Sequence, residues 1–194
     1  MTESNQESAT DLPGLALICL DLQEPFLGAL TGADEFLRRC DLAISAAVRL
    51  EIPIIFTEQV PEKLGPTLPA IQAKAPDAPV YEKHHFSCFG AEGLETHLND
   101  REIHHLLVTG LETPICVYQS VIEAINKGLE VTVLADCVGA RRPADAETAL
   151  RAMSGAGAHV LPVETVLYSI LGHTGHPCFR EITALVKQHT PPRP

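Results

Sequence analysis

The 194-residue sequence contains no apolar segment approaching the roughly 20 residues that cross a bilayer, because charge, Gly or Pro interrupts every hydrophobic run within about eight residues. A membrane role is therefore not expected. Basic residues are also scarce: 14 Lys and Arg face 25 Asp and Glu, and the net charge is -11. The few Arg are scattered, so nucleic acid, whose phosphates demand basic patches, is not the expected partner. The stretch from Met1 to Asp11 has neither a basic region nor an apolar core and reads as neither signal nor transit peptide. Residues 1–12 read as a disordered tail, and residues 191–194, with three prolines, as a flexible one. None of the six cysteines forms the C-x-x-C pair of zinc and redox motifs. Free thiols without an export signal point to a reducing, cytoplasmic compartment, and most read as small buried apolar residues.

What is present is ordinary globular composition, 45% hydrophobic and 20% charged, with no internal repeat, so residues 13–190 are expected to form one domain. Short apolar runs at Leu15 to Leu20, Pro53 to Thr57, His105 to Thr109, Val131 to Ala135 and His159 to Pro162 have the length of buried strands. Helical spacing separates them. Leu37, Cys40, Ile44, Ala47 and Val48 predict a helix from about Asp34 to Leu50, with Thr31 and Asp34 as its capping box. Further helices are predicted from Cys116 to Gly128, from Ala144 to Gly155 and from Pro177 to Gln188. The alternation implies an α/β protein, a parallel sheet of five or six strands covered by helices on both faces. Residues 58–80 carry five prolines and read as a long loop with one short helix around Leu68 to Lys74.

In such a sheet ligands bind beyond the carboxyl ends of the strands. Asp21 follows the first run, and Cys116 follows the third after a short turn, so both project toward that edge. A cysteine at a helix N-terminus meets unpaired N–H groups and the helix dipole, which favour its thiolate. Lys83, on the return from the Pro-rich loop, would favour it further, and a carboxylate near both could shuttle a proton. Each residue also has a plain structural reading. An Asp ending a strand is often a helix cap, and a Lys near a loop end is usually solvated.

Three blocks make the chemistry specific: Leu15 to Leu20 running into Asp21-Leu22-Gln23, then Glu82-Lys83, then Val108 through Val117 with its Gly110-Leu111-Glu112-Thr113 turn before Cys116. In order and spacing they resemble the signature blocks of isochorismatase-like cysteine hydrolases. Finer strings, Phe86-Ser87-Cys88-Phe89 among them, resemble the isochorismatase domain-containing subgroup. The resemblance implies a Rossmann-like three-layer α/β/α sandwich and homo-oligomers. It implies a triad of Asp21, Lys83 and Cys116 acting through a covalent acyl-enzyme. It also implies a cis peptide between Leu111 and Glu112 and an oxyanion hole from the N–H groups of Glu112 and Cys116.

Departures narrow the expectation. Nicotinamidases in this superfamily carry an Asp-x-His pair after the second strand for a divalent ion, where this chain has Glu58-Gln59. No metal and no other cofactor is therefore expected. Isochorismatases proper cleave a vinyl ether without the cysteine, so Cys116 favours a small amide or related C–N substrate. Gln23, Phe26, Phe86 and Tyr118 are candidates to line its pocket. Asp136 reads as a loop anchor. Two alternatives stand beside the hydrolase: a non-catalytic member that binds small molecules or scaffolds, and a thiol redox enzyme using Cys88 or Cys137 as partner to Cys116.

Overall fold

The computed structural model describes residues 14–190; both predicted tails fall outside the described residues. Six strands, β1 (Leu15–Leu20), β2 (Ile54–Gln59), β3 (Val80–Lys83), β4 (His105–Leu111), β5 (Glu130–Gly139) and β6 (His159–Leu161), form one sheet in the order β3-β2-β1-β4-β5-β6. Every pairing is parallel. The helices are α1 (Glu24–Leu27), α2 (Ala33–Arg49), α3 (Pro61–Leu64), α4 (Pro69–Gln72), α5 (Leu94–Asp100), α6 (Tyr118–Asn126), α7 (Pro143–Gly155), α8 (Val163–Leu171) and α9 (Phe179–Gln188).

Strand alternation builds two cores from one sheet. Leu17 and Cys19 of β1 face a cluster with Cys40 and Ile44 of α2, Val166 of α8 and Ile182 of α9. Ala16, Ile18 and Leu20 face the opposite cluster, with Leu94 of α5, Val121 of α6 and Met153 of α7. The result is the three-layer sandwich that a run of buried parallel strands requires, since neither face can be left to water.

Several expectations need correction. The capping box at Thr31 and Asp34 does not form, because left-handed Gly32 is the residue before α2 and no side chain caps it. Lys83 ends a strand rather than a loop: β3 pairs with β2 at Gln59↔Lys83. Its four residues follow Pro79 as a half-exposed edge, too short and too polar to signal a buried strand. The helix read from Cys116 starts at Tyr118, and Cys116 sits in a single π-helical turn, Thr113–Val117. Helices α1, α3, α5 and α8 were not anticipated.

Strands β1 and β4 approach most closely at Gly110, which has φ 124° and would place an added Cβ 2.0 Å from the Leu20 carbonyl oxygen. No side chain fits there, and the φ is open to glycine almost alone. Gly110→Ala is expected to cost more than about 2 kcal/mol through combined strain and overpacking, read as a lower urea midpoint. An unchanged midpoint would mean the strands separate at no cost.

Candidate active site

The sheet order reverses direction between β1 and β4, so the crevice at their carboxyl ends is where this architecture opens a site. Asp21 leaves β1 in a left-handed conformation, φ 52°, that Asp tolerates better than most residues. Its N–H donates to the Thr57 carbonyl at 3.1 Å, and the Thr57 hydroxyl donates to Asp21 Oδ1 at 2.8 Å. Lys83 reaches across from β3 and donates to Asp21 Oδ2 at 2.7 Å, with both side chains 0% exposed. Its other contacts are Gln59 Oε1 at 2.6 Å and the His85 carbonyl at 3.3 Å.

Cys116 completes the group from the π turn after β4. The Asp21 and Lys83 charges both act on its thiol, which donates to Gln59 Oε1 at 3.9 Å. Burial pushes the thiol up to about 12, the Asp21 carboxylate adds to that rise, and the Lys83 ammonium opposes it without reversing it. These influences favour the thiol over the thiolate expected from a helix start. Burial also raises the Asp21 carboxyl above its ordinary value, partly offset by the Lys83 charge and by hydrogen bonds from Lys83, Thr57 and Cys116. A raised carboxyl is the better base.

Cys116 opens onto a cavity of about 180 Å³ lined by Pro25, Phe26, Ala29, Phe86 and Ile115, with Gln59, Glu112 and Arg141 as its polar members. Glu112, 7% exposed, is paired with Arg141 Nε at 3.4 Å. The Leu111–Glu112 peptide is cis. Three larger grooves, about 510 Å³ between α2 and α7, about 420 Å³ at Ile52 to Ile54 and about 370 Å³ between β6 and α8, contain no cysteine. The smaller cavity is the one that Cys116 lines.

Of the four predicted pocket residues, Phe26 and Phe86 line this cavity. Gln23 and Tyr118 do not belong to its wall. Gln23 is 0% exposed and spends its amide on the backbone: Nε2 donates to the Gln59 and Gly65 carbonyls at 3.1 and 2.6 Å, and Oε1 accepts from Gln59 N–H at 2.8 Å. It ties the chain after β1 to the long loop. Tyr118 packs against the core on the α6 side. Gln59 and Arg141 were missed as site residues, although both lie at or just past the carboxyl end of a strand, the one signal that could have found them.

Glu58, read as a departure from a metal site, accepts the Thr67 N–H at 2.6 Å. Among the described residues no three His, Cys, Asp or Glu side chains converge as a metal site. Asp136 accepts the Val163 N–H at 2.7 Å and pairs with Arg39, anchoring α8. All six cysteines are buried and free; Cys88 is pushed up to about 12 by burial, and Cys137 donates to the Arg39 carbonyl at 3.3 Å.

Comparison with known proteins agrees with this fold. The isochorismatase domain model matches residues 15–165. A Xenopus laevis protein, isochorismatase domain-containing protein 2, is 32% identical over 175 residues, 90% of this chain and 84% of its own. A solved structure described as MAR1 ribonuclease from Caenorhabditis elegans superposes with a TM-score of 0.84 at 30% identity, covering 92% of each chain. Nicotinamidase PncA from Bacillus subtilis superposes with a TM-score of 0.67 at 25% identity, over 76% of this chain and 99% of its own. With its six-stranded parallel sheet and a domain match spanning β1 to the start of α8, the chain belongs to the isochorismatase family, a family of hydrolase type.

Proposed function

We propose that the chain is a cysteine-dependent hydrolase of small amides or related C–N substrates, with Cys116 as nucleophile, Asp21 as proton carrier and Lys83 as the fixed cation. The observation that carries this reading is the meeting of a carboxylate and an ammonium, fully buried and 2.7 Å apart, behind a thiol that lines one small apolar cavity. At about 30 Å³ per water, 180 Å³ holds the equivalent of about six waters, which suits a short acyl group.

In this mechanism the thiolate never accumulates. As Sγ bonds to the amide carbon, its proton passes to the Asp21 carboxylate, and charge develops on the carbonyl oxygen. The N–H groups of Glu112 and Cys116 are the proposed donors to that oxygen; one preorganised donor of this kind contributes about 3 to 4 kcal/mol. The C–N bond then breaks, and Asp21 gives the proton to the leaving nitrogen. Water attacks the thioester and passes a proton to Asp21, and the expelled sulfur takes it back. One amide and one water become one carboxylic acid and one amine. Lys83 holds Asp21 in line and balances charge as the sulfur loses its proton.

A ribonuclease reading draws on the description of the C. elegans relative. A cavity of this size and a net charge of -11 favour a small molecule over RNA. The same proposal takes residues 13–190 as one domain of a cytoplasmic homo-oligomer that needs no cofactor. The test is ammonia release from a panel of small primary amides by wild type and Cys116→Ala. Release by wild type alone is expected. Equal release by both would sink the proposal, and amide binding without release by either would favour a non-catalytic member.

A further inference from the structure

An ammonium has three protons and no acceptor, and those of Lys83 have three oxygens to serve: Asp21 Oδ2 at 2.7 Å, Gln59 Oε1 at 2.6 Å and the His85 carbonyl at 3.3 Å. Two of these bonds are short, and Gln59 holds the shorter. The Gln59 amide is fixed in that sense. Its Nε2 donates to the His84 carbonyl at 3.1 Å, so flipping it would set an NH2 group against the ammonium and an oxygen against a carbonyl. Its backbone is pinned on both sides by the Gln23 amide. With Oε1 so directed, it accepts from Lys83 Nζ at 2.6 Å and from the Cys116 thiol at 3.9 Å, and as an amide oxygen it cannot keep the thiol proton.

We propose that Gln59 is a positioning residue that commits the Lys83 protons to oxygen acceptors and so leaves the Asp21 carboxylate as the destination for the Cys116 proton. The proposal rests on the catalytic reading of Cys116. The charged groups facing the sulfur are Asp21 and Lys83; across the cavity Glu112 and Arg141 are paired with each other. The neighbouring Cys88 thiol feels the same Asp21 and Lys83 charges. Gln59 adds no charge of its own, yet it decides which acceptors the one cation satisfies. Without its oxygen, a Lys83 proton turns to the sulfur, and proton transfer to Asp21 is no longer the sole route to a nucleophile.

The test is the pH dependence of Cys116 alkylation by iodoacetamide in the full chain, followed by peptide mass from pH 7 to 11. Each event forms an S–C bond, expels iodide and releases the thiol proton to solvent. In Gln59→Leu the freed Lys83 proton stabilises the thiolate, and the midpoint falls by about one unit, so the rate climbs about tenfold at a given pH below it and bends toward its plateau by pH 11, where wild type is still rising. Wider access alone would raise the rate without moving the plateau. In Gln59→Glu the shape is kept, a carboxylate faces the sulfur, and the midpoint rises. Opposite shifts support the proposal; no shift, or shifts in one direction, overturn it. Should Gln59→Leu fail to fold, an unchanged or lowered midpoint in Gln59→Glu overturns it alone. Equal ammonia release by wild type and Cys116→Ala would end the hydrolase reading instead, and the alkylation midpoints would still report on Gln59.

Discussion

Asp21→Asn is expected to lower amide turnover by about 10² to 10⁴ while making Cys116 easier to alkylate. The two effects run in opposite directions because Asp21 acts on the sulfur in two ways. As a base it takes the thiol proton during attack, and an amide of the same shape cannot. As a buried negative charge it also helps hold the thiol proton on, behind burial itself as the larger cause. Removing that charge leaves Lys83 as the dominant local field, and the thiol falls from about 12, raising the thiolate fraction at pH 8 by about tenfold per unit. Ammonia release and iodoacetamide labelling on the same preparation read both effects. Turnover within tenfold of wild type would remove Asp21 from the mechanism, and slower labelling would mean its charge does not govern the sulfur.

Lys83→Met is expected to lose about 3 to 5 kcal/mol at neutral pH, the range for breaking a fully buried pair by deleting one partner. Methionine fills much of the same volume, so the loss reports charge rather than a cavity. Asp21 and Gln59 Oε1 would be left without their cation. The pH dependence separates these contributions. Burial already raises the Asp21 carboxyl, and without Lys83 it rises further. A raised acid contributes stability in full below its ordinary unfolded value, and that contribution is lost as pH rises through the folded value. The gap between variant and wild type should therefore be small near pH 4 and widen toward pH 7.5 in urea unfolding. A gap of equal size at both would assign the loss to packing.

Much of this site could be read from sequence because its two anchors follow strong signals. Leu15 to Leu20 and His105 to Thr109 are apolar runs long enough to be buried strands, so the residues beyond them had to share an edge. Lys83 lacked that support: β3 is four residues, half exposed, and recognisable only once paired with β2. The π turn at Cys116 is equally silent, since one extra residue in a helical turn leaves the spacing of Val117, Val121 and Ile125 intact. The upward direction of the sulfur's shift was not legible in the sequence for a physical reason. A helix start and a nearby lysine argue for a thiolate only when the lysine is free to serve it, and here Asp21 and Gln59 claim it first. Helix α8 is hard to read because it starts directly after Pro162, and Glu164, Thr165 and Ser169 only briefly interrupt the apolar character that Val163, Val166, Leu167 and Ile170 continue from β6.

Around the cavity the charges cancel in pairs, Asp21 with Lys83 and Glu112 with Arg141, while the molecule as a whole carries -11. A neutral amide arriving at such a mouth feels little field and enters by diffusion, at a rate that added salt barely changes. The proposed hydrolysis would turn it into a carboxylate, which the excess negative charge of the molecule repels. The pairing inside and the excess outside would together leave entry of the proposed substrate insensitive to charge and weaken rebinding of its product.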